Sequence, residues 1–120
     1  MREVRVIEMF QFAGRDELVE AMAAGRVLMV RTSDEVLIAP VSQFRKVDER
    51  WSPWPEMQDV LRVLRDHDPW SVAQVIRAVV APELKGLTVR DALLAGQTDM
   101  VNEFALLVHR EWSAGQVPED

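Results

Sequence analysis

Acid–base or metal chemistry needs imidazoles and carboxylates brought together, and one stretch of this chain offers them side by side: Asp66-His67-Asp68. Neighbouring residues on a helix point in different directions, however, and the second histidine, His109, lies in another predicted helix between Val108 and Arg110-Glu111. The reading that follows is a solvated helix end with Asp68 as its cap, and a partly exposed helical His109. No Gly-rich phosphate loop, nucleophile elbow or paired-carboxylate signature occurs. The chain has no cysteine, which removes disulfides, thiolate metal sites and cysteine nucleophiles together and agrees with a reducing compartment. No catalytic residue, cofactor site or metal ligand is assigned, and the chain reads as a non-enzyme. What keeps chemical weight is aromatic. Trp51, Trp54, Trp70 and Trp112 are many for 120 residues; two or more belong in a core, and exposure of Trp51 or Trp54 would mark a partner surface.

The elements that position these residues are punctuated most clearly between Asp68 and Trp112. Asp68 accepts the free N–H groups of a first turn, Pro69 fits the first helical position, and Pro82 closes the segment, which predicts a helix over 69–80. Thr88 and Asp91 approximate a capping box and Gly96 suits a left-handed helix end, which predicts a short helix over 88–95. Thr98 opens a third helix, 98–112, in which Val101, Phe104, Ala105, Val108 and Trp112 share one face. Leu84, Leu93, Val101, Phe104 and Val108 are the expected core of this group. Upstream, Pro55 starts a helix over 56–66 with Met57, Val60, Leu61 and Leu64 at helical spacing.

The first half has weaker signals. Val4, Val6, Phe10 and Phe12 alternate with polar residues and predict a strand within 2–12, although Ile7 and Met9 blur the period. Arg15-Asp16-Glu17 opens a helix that Gly25 ends. Val27–Val30 and Val36–Ala39 flank a polar, turn-compatible run and predict a β-hairpin, with Pro40 at its exit. From Gln43 to Pro55 the chain reads as a polar connector, and 113–120 as a flexible tail. The expectation is an α+β fold in one domain: an N-terminal β-hairpin layer with one helix (1–55), then a C-terminal group of about four helices (56–112), then the tail.

Composition agrees with a globular chain: 48% of residues are hydrophobic and 28% charged. No apolar run approaches the ~20 residues of a membrane span, and Met1-Arg2-Glu3 lacks the regions of a signal peptide, so a cytoplasmic location is expected. The net charge is −6, and it is uneven: residues 1–50 carry 8 basic and 9 acidic side chains, residues 51–120 carry 6 and 11. An acidic second half repels phosphate backbones and steers basic protein surfaces toward itself.

Three stretches carry a family resemblance. Ala81-Pro82-Glu83-Leu84-Lys85-Gly86-Leu87-Thr88, then Ala92-Leu93-Leu94-Ala95-Gly96, then Met100-Val101, resemble the toxin-binding domain of the Xre/MbcA/ParS-like antitoxins. Upstream, Gly25–Val30 and the Pro40-Val41-Ser42-Gln43-Phe44 segment look like the hairpin and Pro-x-x-Gln-Phe run that often precede that domain, so the likeness covers about 16–112. One departure is Val89, where the family often has proline. The resemblance implies an antitoxin that neutralises a RES-domain, NAD-consuming toxin by covering its active-site entrance. It implies Pro82, Leu84, Gly86, Gly96 and Val101 as scaffold, and the third helix with the tail as the toxin-facing surface, including Arg110, Trp112, Gln116, Glu119 and Asp120. It leaves room for a homodimer.

Two other classes stay open. A DNA-binding regulator would use the 16–24 helix and the hairpin as a wing, with Arg15, Arg26, Arg31, Arg45 and Lys46 on phosphates. Only one clear helix precedes that hairpin, where operator-binding relatives carry a full helix-turn-helix. A non-enzymatic adaptor with an unrelated protein partner is the third class.

Overall fold

Caps and periodicity place the elements of the computed structural model, which describes residues 1–114. Among them the order is α1 (Glu3–Phe10), α2 (Arg15–Ala24), β1 (Val30–Arg31), β2 (Leu37–Ile38), β3 (Arg45–Val47), β4 (Arg50–Ser52), α3 (Pro55–Val63), α4 (Pro69–Arg77), α5 (Val89–Leu94) and α6 (Thr98–Ala114). Short 3-10 turns at Val41–Gln43 and Pro82–Leu84 link the hairpins and the last helices. This is the expected α+β arrangement, with the four C-terminal helices where their punctuation put them. None of the described helices is long and apolar enough to cross a membrane.

The predicted caps form. The Asp68 carboxylate accepts the Ser71 backbone N–H at 2.9 Å and the Ser71 hydroxyl at 2.9 Å, and Thr88 accepts the Asp91 N–H at 3.1 Å. Asp68→Ala should therefore lower stability by about 1 kcal/mol. In thermal unfolding that is a fall of roughly 3–5 °C in the midpoint, and an unchanged midpoint would show that the cap is not stabilising α4.

Residues 2–12 form a helix and not the expected strand. In a strand Val4 and Val6 would share a face; in α1 they lie about 200° apart, and Val4 is 65% exposed while Val6 is fully buried. Val6, Ile7 and Phe10 make the inward stripe, so the Ile7 and Met9 that blur alternation are the helical period showing through. Gln11, with φ 60°, ends the helix. Extended pairing in this stretch is limited to Arg2 against Ile38, beside which the Met1 amine donates to the Ala39 carbonyl at 2.8 Å; burial lowers the pKa of that amine.

The polar connector also holds structure. β3 and β4 pair antiparallel across Asp48 and Glu49, both at positive φ (50° and 67°), the backbone of a tight two-residue hairpin. Such turns usually show Asn-Gly or Asp-Gly in sequence, and Asp-Glu carries no such signal. Lys46 faces Trp51 across the ladder, its Nζ 5.1 Å from the ring centroid.

Two apolar cores result. Val6, Leu18, Ala21, Val27, Met29 and Phe44 build the N-terminal one, while α3 to α6 and the Pro82–Leu84 turn enclose the second, with Leu84, Leu93, Val101, Phe104 and Val108 all buried in it. Gln43 ties the first core together. It is 2% exposed, accepts the Leu28 N–H at 2.7 Å, and donates to the carbonyls of Leu28 and Pro40 at 2.7 and 3.0 Å. The side chain thus pairs the backbone of a segment that no strand partners, which is what a buried amide must do. Arg90 of α5 ties the second core to the same region, donating to the carbonyls of Ser42 and Phe44.

Candidate functional site

The last turns of α6 are fastened by a cluster that the sequence order conceals. His67, on the link between α3 and α4, is 7% exposed, and its Nε2 lies 2.8 Å from Nδ1 of His109. Trp112, one turn after His109, stands edge-on to the His67 ring with centroids 5.2 Å apart. At 2.8 Å one of the two nitrogens donates its N–H to the lone pair of the other. Among the described residues, Nδ1 of His67 is buried without a hydrogen-bond partner, so either tautomer leaves one polar group of that ring unsatisfied there.

The geometry corrects the solvated-helix-end reading of 66–68. Asp66 and Asp68 are exposed, but the link after α3 turns His67 inward under α6. Asp68 keeps its expected role as cap and His109 is half-buried as expected. The facing nitrogens of the pair bind each other, and among the described residues no group of three or more His, Cys, Asp or Glu is placed to hold a metal ion.

Arg110 is exposed beside this cluster, whereas Trp112 is half-buried against the second core. Gln116, Glu119 and Asp120 lie outside the described residues. Leu106, one turn before Arg110 on the same side of α6, is 50% exposed and was not singled out from sequence. The signal was present, because Leu106 falls off the stripe formed by Val101, Phe104, Ala105 and Val108. The helix end therefore presents a leucine and an arginine on a support that the two histidines and Trp112 hold in place.

The scaffold residues occupy structural positions. Pro82 opens its 3-10 turn from an exposed site, Leu84 and Val101 are fully buried, and the turn closes through the Ala81–Leu87 bridge. Gly86 and Gly96 have φ of +81° and +78°, and among the described residues no atom beyond their chain neighbours lies within 4 Å of where a Cβ would stand, so backbone conformation and not packing requires them.

The five basic residues considered for phosphate contact are largely engaged within the chain. Arg15 pairs with Glu3 at 3.0 Å, Arg26 lies over the Phe12 ring, Arg31 donates to the Glu35 carbonyl and Lys46 lies over Trp51, with Arg45 exposed on β3. Two helices and not one precede the first hairpin, α1 being the helix that sequence reading took for a strand. Of the tryptophans, Trp54 is buried and Trp51 half-buried, while Trp70 is 49% exposed. A largely apolar groove of about 360 Å³ is lined by residues of both cores and their surroundings, among them Val19, Met22, Leu61, Leu64, His67 and Val72. Set beside known families, curated proteins and solved structures, the chain matches no family model, no curated protein and no solved structure.

Proposed function

We propose that this chain is an antitoxin-like protein that binds and neutralises a RES-domain, NAD-consuming toxin through the C-terminal end of α6 and the residues after it. The support is the resemblance over about 16–112, together with one physical observation: the His67–His109 bond and Trp112 hold the helix end while Leu106 and Arg110 face solvent. A surface already held in place loses little conformational freedom on association. Glu119 and Asp120 follow it in sequence, and carboxylates suit the basic, anion-binding cleft that an NAD-handling pocket requires. The partner is a cognate toxin in the cytoplasm, and no catalytic residue, cofactor or metal is invoked on this chain.

The regulator reading gains from α1 and α2 preceding a hairpin, an arrangement closer to a helix pair with a wing than the sequence indicated. Against it stand the net charge of −6 and the engagement of Arg15, Arg26 and Arg31 within the chain. Tight, steeply salt-dependent association with one duplex sequence would decide for the regulator.

Co-expression with the toxin tests the antitoxin reading, and the structure fixes where to cut. Removing residues after Arg110 would take away Trp112, which packs on the core, so the informative truncation follows Ala114. That chain retains every residue of the two described cores, so it should keep its thermal midpoint within about 2 °C of the full chain, yet protect cells less well. Equal protection would mean that the tail is not the inhibitory element. Failure of the intact chain to bind a RES toxin encoded beside it would remove the reading itself.

A further inference from the structure

On a different face of the molecule, the described residues gather cations and tryptophans around two hollows that no carboxylate lines. Trp70 is half exposed, but it is not loose: its Nε1 donates to the Arg31 carbonyl at 3.1 Å. Beside it lies a hollow of about 160 Å³ lined by Val30, Ile38 and Ala73 as aliphatic wall and by Arg77. A second hollow of about 320 Å³ adjoins it, sharing Pro40, Ser42 and Arg77 and adding Trp51 and Arg90. Among the described residues, no Asp or Glu lines either one. Neither Arg77 nor Arg90 forms an ion pair among the described residues, and Lys46 extends the positive face over Trp51.

Structural duty explains part of this. Arg77 is in the last turn of α4, where a cation complements the helix dipole, and Arg90 braces the 42–44 segment. Yet Nη1 alone makes both of the Arg90 contacts. Of the five N–H donors of a guanidinium, the one on Nε and the two on Nη2 have no partner among the described residues. The guanidinium is also steadied over the Trp54 ring, its Cζ 5.4 Å from the centroid. Trp70 and Arg90 are thus fixed in advance with binding capacity unspent, the condition under which Trp and Arg become binding hot spots.

We infer that this face, formed by α4, the start of α5 and the 40–52 segment, docks an acidic peptide segment of a partner protein. An aliphatic side chain of that segment enters the hollow beside Trp70, and its carboxylates meet Arg77 and the free edge of Arg90. Charge complementarity selects this occupant: the face is a positive island on a chain of net charge −6. Three cations suffice for a few carboxylates. A polynucleotide brings a charge at every phosphate, and the remaining acidic surface would repel it increasingly with length.

The test uses the full chain and a short fluorescein-labelled peptide of alternating glutamate and leucine, followed by fluorescence polarisation. Comparison probes are the same peptide with lysine in place of glutamate and a thymidine oligonucleotide of equal charge. Saturable binding of the glutamate peptide is expected, weakening with added salt and at least tenfold in Arg77→Glu. Trp70→Ala should weaken it similarly, while Arg5→Glu, the same charge change on exposed α1, should not. Because Arg77 is exposed, reversing it against the dipole of α4 should lower the thermal midpoint by only a few degrees and leave the chain folded at the assay temperature, which separates lost docking from lost folding. The proposal fails if the glutamate peptide does not bind, if the lysine peptide binds as well, if the oligonucleotide binds more tightly, or if Arg77→Glu leaves the affinity unchanged. No toxin enters the assay, so its outcome is independent of the antitoxin reading.

Discussion

Phe104→Ala should cost the fold about 3–5 kcal/mol, the range for deleting a buried phenylalanine. The ring is 7% exposed and belongs to the second core together with Val60, Leu64, Leu84 and Val101, each fully buried. α6 reaches α3, α5 and the Pro82–Leu84 turn, so a void at Phe104 is shared by elements that cannot all move in to fill it. In a domain whose total stability is typically about 5–15 kcal/mol, that is a large fraction. The thermal midpoint should fall by roughly 10–20 °C. Leu106 on the same helix is 50% exposed, and Leu106→Ala should stay within about 0.5 kcal/mol. Urea and thermal unfolding of the two variants together test the assignment of the faces of α6, and equal shifts would mean it is wrong.

Gly25→Ala should be nearly as damaging, by a different route, costing about 2–5 kcal/mol. Gly25 ends α2 with φ +76°, a conformation that costs an L side chain roughly 1–2 kcal/mol. A Cβ there would also stand 2.6 Å from Cα and 3.0 Å from N of Arg62, backbone atoms of α3 that cannot rotate away. Forcing such a contact apart adds roughly 1–3 kcal/mol. Gly96 is the natural control, since φ is +78° but among the described residues no atom beyond its chain neighbours lies within 4 Å of its missing Cβ. Gly96→Ala should carry the conformational cost alone, about 1–2 kcal/mol. If the two alanine variants have equal thermal midpoints, the close approach of α2 to α3 contributes nothing.

Gly25 also shows how far sequence reading reaches. A glycine after an amphipathic run is legible as a helix end, because the left-handed conformation is a local requirement. That the same residue is the seam between two cores is not legible, because Arg62 lies 37 positions away and nothing local marks the contact. Gln43 follows the same pattern: the Pro-x-x-Gln-Phe run could be noticed, whereas its two hydrogen bonds with the Leu28 backbone arise only when the chain folds back.

By itself the sequence determined what local chemistry dictates. Asp68, Pro69, Thr88 and Gly96 set the boundaries of α4 and α5 through backbone groups within a turn of each residue, and the 3.6-residue period of Val101, Phe104, Ala105 and Val108 set the buried face of α6. Tertiary structure decided the rest. The stretch 2–12 became a helix because the N-terminal core needed Val6, Ile7 and Phe10 on one side, a demand made by Leu18 and Phe44 from elsewhere in the chain. Two turn residues without a glycine signal closed the β3–β4 hairpin because Lys46 and Trp51 face each other across it. The candidate site depended most on distance in sequence: His67 and His109, 42 residues apart, read as unrelated until the packing of α3 against α6 set them 2.8 Å from each other. Burial then turned a residue expected in solvent into the anchor of the helix end, because a contact between helices is fixed by how their faces pack and by no property of either residue alone.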